Sequence, residues 1–127
     1  MKRNFALAFS SLAVIILMTQ VLHAFPQFNK GFKTLYLENA SEDFKQAVTD
    51  AKCNLCHDPN KKTDEGKSSK KFRNAYGQAL DNLLGKEDKK NKEKIEQALK
   101  DVEKEKAPDS EETFGDRIHG GNLPVAP

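Results

Sequence analysis

Residues 41–57 read SEDFKQAVTDAKCNLCH, and this stretch decides the fold. Ser41 is of a type that caps helix N-termini, and the carboxylates of Glu42 and Asp43 would follow in the first turn, where the helix dipole favours negative charge. Apolar side chains then recur at spacings of three and four; they are Phe44, Ala47, Val48, Ala51 and Leu55. The pattern predicts an amphipathic helix that the sequence Asp-Pro-Asn at residues 58–60 stops.

Two further helices are indicated downstream. Ser68 or Ser69 is expected to cap the second helix, which Gly85 would end. Asp88 is expected to cap a highly charged third helix, which Pro108 would end. The apolar stripes are Phe72, Tyr76, Leu80, Leu83 and Leu84 in the second helix, and Ile95, Leu99 and Val102 in the third. Because the third helix keeps its stripe, its many Lys and Glu residues are interpreted as a solvated face.

The remaining segments complete an all-α fold class. Asp109 or Ser110 is expected to cap a short fourth helix. Its apolar side chains are Phe114 and Ile118, and Gly120-Gly121 closes it. Residues 25–40 lack a clean helical period and are predicted to be an extended N-terminal segment, while residues 122–127 are predicted to be a loose C-terminal tail. Since no strand pattern is present, residues 41–121 are predicted to form one small domain of three to four helices.

The first 24 residues have the features of a secretory signal peptide. Lys2 and Arg3 give a basic start, residues 5–18 carry no charge, and Ala24 is a small residue at the expected cleavage position. A retained transmembrane anchor is the alternative, but it needs about 18 or more apolar residues. Polar side chains interrupt this stretch at Ser10, Ser11, Thr19 and Gln20. We therefore expect cleavage, export to the periplasm or another extracytoplasmic space, and no stable membrane insertion afterwards.

Cleavage would change the composition of the chain. Of its 21 basic residues Lys2 and Arg3 would be removed, and the remaining 19 would balance 19 acidic residues. This neutrality argues against nucleic-acid binding, which needs a net basic face. Both methionines, Met1 and Met18, would also be removed. The remainder is poor in apolar residues and its two cysteines allow at most one disulfide, so a bound group is expected to complete the core.

Residues 53–57 form a C-x-x-C-H motif, which is the attachment pattern of c-type haem. Cys53 and Cys56 are three residues apart and His57 is four beyond Cys53, so a helical turn would present all three on one face. The two sulfurs can form thioethers with the haem vinyl groups, and the imidazole can bind the iron as the proximal ligand. The motif predicts one covalently attached haem c.

Other uses of the cysteine pair fit less well. A thioredoxin-like redox pair needs an α/β context, which this chain lacks. A zinc site would have only His57 and His119 as further nitrogen ligands after residue 24, with no second cysteine pair. A disulfide between Cys53 and Cys56 would be strained and would not account for His57. Export also fits haem, which is attached outside the cytoplasm.

On this motif the chain resembles the monohaem c-type cytochromes of class I. The resemblance covers most of residues 41–121, and C-x-x-C-H is its specific element. Residues 51–57 (AKCNLCH), 73–77 (RNAYG) and 113–118 (TFGDRI) are also similar to small planctomycete-type exported haem proteins. The resemblance implies an α-helical fold around one haem, electron transfer, and redox proteins as partners.

The chain departs from that family at the sixth iron ligand. Class I cytochromes generally use a methionine sulfur there, and this chain has no methionine after residue 24. His119 is the only other imidazole beyond that residue and is the candidate distal ligand. The alternative interpretation is a surface histidine favourably placed at a helix C-terminus. A lysine that has lost its proton, or a vacant or water-occupied position, also remains open.

The sequence thus predicts an exported monohaem cytochrome c that transfers single electrons between redox partners and is not itself an enzyme. One alternative is a haem protein that binds or senses NO or CO, which needs an open or displaceable sixth position. Another is a haem subunit of a larger oxidoreductase complex. Association as a homodimer or as a heterodimer is compatible with each of these functions.

Overall fold

The computed structural model describes residues 26–67 and 71–126. Its helices are α1 (Pro26–Tyr36), α2 (Glu42–Ala51), α3 (Ala75–Leu83), α4 (Lys92–Val102) and α5 (Phe114–His119), with 3-10 turns at Lys52–Leu55 and Lys86–Lys90. Within these two ranges the chain contains helices and no strand, so the all-α prediction is confirmed for them. No helix in this part of the chain is long and apolar enough to span a membrane. The predicted signal peptide, Ser68 and Ser69 lie outside the described residues.

The expectation of an extended segment at residues 25–40 is wrong for α1. Pro26 occupies the first helical position, where its fixed φ and missing N–H are tolerated. The apolar residues Phe28, Phe32 and Leu35 recur at spacings of four and three, so they share one helical face. A Cβ on Gly31 would lie 2.7 Å from Cγ2 of Ile95, so this glycine permits α1 to approach α4 closely.

The first predicted helix is shorter than expected. Ser41 caps α2 as predicted, since its Oγ accepts a hydrogen bond from the Phe44 N–H at 3.3 Å. The helix ends at Ala51, and Lys52, the first residue of the 3-10 turn, adopts φ 48° and ψ −120°. The motif is therefore not the last turn of a continuous α-helix, because the backbone changes direction immediately before Cys53.

The second predicted helix begins later than the serines at residues 68 and 69. Asn74 caps α3 by accepting the Gly77 N–H at 2.8 Å. Phe72 therefore precedes the helix, although it was expected in its apolar stripe. Leu83 was also expected there but is 42% exposed, whereas Leu84, the residue just beyond the helix, is buried.

Asp88 does not cap the third helix. Asn91 caps α4, and Asp88 instead accepts hydrogen bonds from the Gly85 N–H and from Nζ of Lys94, both at 2.8 Å. These two bonds lower the pKa of the Asp88 carboxyl below its usual value. The sequence pattern therefore identified Asp88 as a capping residue but assigned it to the third helix instead of to the 3-10 turn at Lys86–Lys90.

The cap of the fourth helix is also displaced from Asp109 or Ser110. Thr113 caps α5 by accepting the Asp116 N–H at 3.0 Å, and Asp116 accepts the Thr113 N–H in return at 2.9 Å. Asp109 adopts a positive φ of 52°, which places it in a turn before the helix. The reciprocal pair makes a capping box.

The core is built around α4, which contacts α1, α3 and α5. The buried apolar side chains of the core are Phe32, Phe44, Val48, Leu55, Tyr76, Ala79, Leu80, Leu84, Ile95, Ala98, Leu99, Val102, Ala107, Phe114 and Ile118.

The C-terminal tail differs from the loose segment expected at residues 122–127. Pro124 is fully buried, and the Leu123 carbonyl accepts a hydrogen bond from Nε of Arg117 at 3.0 Å.

The packing of α1 gives a testable prediction. Phe32 is 1% exposed, so Phe32→Ala should lower the free energy of unfolding by about 3–5 kcal/mol through lost burial and the cavity left behind. Lys33→Ala, at the adjacent exposed position, is the control and should stay within about 0.5 kcal/mol of the parent. Urea unfolding followed by circular dichroism measures both. Equal stabilities for the two variants would contradict the packed α1.

Candidate functional site

The C-x-x-C-H motif lies on a tight turn, named here the motif turn (residues 52–57). The backbone N–H groups of Cys56 and His57 both donate to the Cys53 carbonyl, at 3.2 and 3.0 Å. Leu55 is 2% exposed and anchors the turn in the core, whereas Cys53 is exposed. Cys56 and His57 are half-buried. The turn therefore carries Cys53, Cys56 and His57 at the border between core and solvent.

Lys52 starts the motif turn in a backbone conformation that non-glycine residues rarely adopt. Its φ is 48°, in the left-handed region that favours glycine. The Lys52 carbonyl accepts a hydrogen bond from Nδ2 of Asn29 at 3.2 Å, so α1 helps to hold this conformation. Such strain persists only where surrounding contacts impose it. At Lys52 the positive φ turns the backbone away from the axis of α2, and the next residue, Cys53, is exposed.

Backbone hydrogen bonds join the motif turn to the residues that lead into α3. The Asn74 N–H donates to the Cys56 carbonyl at 3.0 Å, and the Asp58 N–H donates to the Phe72 carbonyl at 3.1 Å. These two bonds make an isolated antiparallel bridge between His57 and Arg73. The bridge fixes the position of the histidine relative to α3.

Asn74 strengthens the same connection through its side chain. Its Oδ1 caps α3, while its Nδ2 donates to the carbonyls of Asn54 and Leu55, both at 3.1 Å. Gly77 is required beside it, because a Cβ there would overlap the Cys56 carbonyl oxygen. The Asn74 side chain and the absence of a side chain at Gly77 thus let α3 begin directly against the motif turn.

The His57 ring is oriented by a second hydrogen bond to the same segment. Its Nδ1 lies 3.2 Å from the Phe72 carbonyl oxygen. A carbonyl can only accept, so Nδ1 must carry the proton, and in the neutral ring the lone pair is then on Nε2. Histidines that bind metals are oriented in this way, with the other ring nitrogen donating to a carbonyl or carboxylate.

The two thiols differ from those of a redox-active cysteine pair. Both are unbridged, and burial raises the pKa of the Cys56 thiol to about 12, although the nearby Arg73 guanidinium opposes this shift. Disulfide oxidoreductases use a thiol of lowered pKa, and the environment of Cys56 shifts its pKa in the opposite direction. Among residues 26–67 and 71–126, no three His, Cys, Asp or Glu side chains are grouped as ligands of one metal ion.

His119 lies at the last position of α5, in a cluster with Tyr36 and Glu103. Its side chain is 64% exposed, and its Nε2 is 3.1 Å from Oε2 of Glu103. Its ring meets the Tyr36 ring edge-on, with centroids 6.0 Å apart. The structure thus brings Cys53, Cys56 and His57 onto one turn, and pairs His119 with residues of α1 and of the turn after α4. The role of His119 as an iron ligand stays a prediction.

Sequence reasoning missed the parts that Asn74 and Gly77 play at the site. An Asn just before an apolar helical stripe is a recognisable cap signal, so the first role of Asn74 could have been found. Its bonds to Asn54 and Leu55 connect positions 20 and 19 residues apart, and nothing in the sequence pattern indicates them. The close approach that requires Gly77 depends on the same tertiary contact.

Substitutions at Asn74 separate its two roles. Asn74→Ala removes the cap and both donated bonds, and should lower the free energy of unfolding by about 2–3 kcal/mol. Asn74→Asp keeps an oxygen for the Gly77 N–H but cannot donate to the motif turn. We therefore expect Asn74→Asp to keep the Gly77 amide protected from hydrogen exchange while the Cys56 and His57 amides exchange faster. Parent-like exchange of those two amides in Asn74→Asp would show that Nδ2 does not hold the turn.

Comparison with models of known protein families, with curated proteins and with solved structures finds no match to this chain.

Proposed function

We propose that this chain is an exported monohaem cytochrome c that transfers single electrons between redox partner proteins. Haem would be joined to Cys53 and Cys56 through thioethers, and His57 would bind the iron. The observation that carries the proposal is the 3.2 Å contact between Nδ1 of His57 and the Phe72 carbonyl. This contact selects the tautomer in which Nε2 can bind a metal, at the histidine of a haem attachment motif.

The donor set and its surroundings fit a covalently attached haem. Cys53 is exposed, whereas the Cys56 thiol is desolvated by burial, so a covalently attached haem would lie at the border between solvent and core. The core beside them is apolar, with Leu55 and Tyr76 fully or almost fully buried. Haem iron supplies one-electron redox chemistry when it is bound.

The protein's own residues would fix the geometry of the site. By accepting the hydrogen bond from Nδ1, the Phe72 carbonyl fixes the orientation of the His57 ring and makes Nε2 a stronger metal ligand. The bonds from Asn74 keep the motif turn against α3, so the histidine and both cysteines move together. Leu55 and the buried aromatic rings exclude water from the inner side of the turn. None of these groups is required to make or break a substrate bond, which suits an electron carrier.

Positive charge around the motif turn supports a role in partner docking. Exposed lysines lie in the turn and in the loop that follows it, at Lys52, Lys61, Lys62, Lys67 and Lys71. The same loop carries Asp64 and Glu65, and Glu65 pairs with Lys67 at 3.1 Å, so the patch has an excess of positive charge without being uniformly basic. An excess of one sign steers an oppositely charged partner by long-range attraction that salt weakens. We therefore expect acidic redox partners and faster electron transfer at low ionic strength.

A second candidate function is the binding of NO or CO, and the position of His119 favours it. A distal histidine would bind the iron through Nε2, but Nε2 of His119 pairs with Glu103 instead. The chain has no methionine after residue 24 to take that position. An iron that lacks a sixth protein ligand would be open to a small gas.

Covalent attachment tests the proposed function. Expressed in cells that make c-type cytochromes, the protein should retain haem through acid–acetone extraction and denaturing electrophoresis, because thioethers survive both. Cys53→Ala and Cys56→Ala should each weaken attachment, and His57→Ala should also change the visible spectrum, because it removes the proximal ligand. His119→Ala is the matched histidine control and should keep attachment intact. A polypeptide mass without haem in the parent protein would overturn the proposal.

The sixth ligand is tested by His119→Ala in the haem-containing protein. Because Nε2 of His119 pairs with Glu103, we expect the visible spectra of the oxidised and reduced forms to stay unchanged. A change from low spin to high spin would instead assign His119 as the ligand. Addition of CO to the reduced parent protein separates the two functions: slow or absent binding supports the carrier, and rapid binding supports the gas-binding protein.

A further inference from the structure

Arg73 and Asp81 form an ion pair beside the motif turn. Nη2 of Arg73 lies 2.9 Å from Oδ1 of Asp81, and the two side chains are 25% and 38% exposed. Asp81 belongs to α3, whereas Arg73 lies in the segment that leads into this helix. Because the pair is only partly in solvent, water and salt screen its charges less than they screen a fully exposed pair.

The backbone places the positive member of this pair against the motif. Arg73 forms the isolated antiparallel bridge with His57, and the residue before it, Phe72, supplies the carbonyl that faces Nδ1 of His57. Burial raises the pKa of the Cys56 thiol and the Arg73 guanidinium opposes that rise, so the guanidinium lies close enough to act on this side chain. A positive charge is thus held next to two of the three residues proposed to hold haem.

The start of α3 is fixed without this ion pair. Asn74 caps the helix and donates two side-chain hydrogen bonds to the motif turn. A single ion pair that solvent reaches adds little stability to such a connection. What the pair does fix is a charge distribution, because Asp81 holds the guanidinium in one position and cancels part of its field.

We propose that the ion pair of Arg73 and Asp81 sets the reduction potential of the haem attached at the motif turn, with the guanidinium raising the potential and the carboxylate limiting the rise. This inference rests on the proposed function. Reduction adds one electron, so the net charge of the haem falls by one. A fixed positive charge nearby therefore stabilises the reduced form, and a fixed negative charge stabilises the oxidised form.

Redox titration of the haem-containing protein, followed by its visible spectrum, tests the assignment. Arg73→Gln should shift the midpoint potential downwards. At a fixed applied potential the ratio of reduced to oxidised protein should fall roughly three- to tenfold, as for a partly screened unit charge at a separation of about 10 Å and an effective dielectric constant of about 20. Asp81→Asn should shift the potential upwards, because it leaves the guanidinium uncompensated. Arg73→Lys keeps the charge and should stay closer to the parent than Arg73→Gln.

The opposite signs separate an electrostatic role from a structural one. Loss of the pair removes the same contact whichever member is replaced, so a structural role predicts shifts of the same sign. Shifts of the same sign in Arg73→Gln and Asp81→Asn, or parent-like potentials in both, overturn the inference. Asp81→Asn changes no residue of the segment bonded to His57. If Arg73→Gln does not fold, an unchanged or lowered potential in Asp81→Asn overturns the inference by itself.

The matched control is the ion pair of Lys100 and Glu96 on α4. Its charged atoms are 2.6 Å apart, and its side chains are 51% and 54% exposed, so solvent screens both charges. Lys100→Gln and Glu96→Gln should each leave the potential unchanged. Shifts as large as those at Arg73 and Asp81 would show that any surface charge moves the potential, and would also overturn the inference.

These outcomes are separable from a failure of the proposed function. If the parent protein carries no covalent haem, the proposed function and the inference fall together. If haem is attached and the potentials of the variants do not follow the stated signs, only the inference falls.

Discussion

The connection between the motif turn and the start of α3 is the contact on which the rest of the structure depends. Asn74 makes it twice, by donating its backbone N–H to Cys56 and its side-chain amide to Asn54 and Leu55. Since its Oδ1 also caps α3, the helix cannot shift without disturbing the turn. A short, irregular piece of backbone is thereby joined to the start of α3 by three hydrogen bonds.

The same connection explains why the inner side of the site is crowded. Gly77 lets α3 pack directly on the Cys56 carbonyl, and this places Tyr76 at the centre of the core with its hydroxyl enclosed. Phe32 from α1 and Phe114 from α5 meet the Tyr76 ring edge-on. Three helices distant in sequence thus converge on one aromatic ring next to the motif. A group bound at the motif would consequently affect the stability of the whole domain.

The cluster of Tyr36, Glu103 and His119 lies where α1, α4 and α5 come together. Glu103 accepts from Tyr36 through one oxygen and pairs with His119 through the other. These contacts hold His119 at the end of α5 in the structure, and its role as an iron ligand stays a prediction. The two candidate functions differ in whether this histidine stays with Glu103 when haem is bound.

The sequence by itself determined what depends on local physics. The apolar stripe at residues 42–51 and the Ser41 cap predict α2, because helix periodicity and capping act within a few residues. The C-x-x-C-H spacing alone defined the candidate site. Only the tertiary structure decided that Lys52 would turn the chain out of α2, that α1 would be helical against α4, and that Tyr76 would be buried beside Cys56. Each of these depends on contacts between segments far apart in the chain, and the spacing of apolar residues within a segment does not say which other segment will cover them.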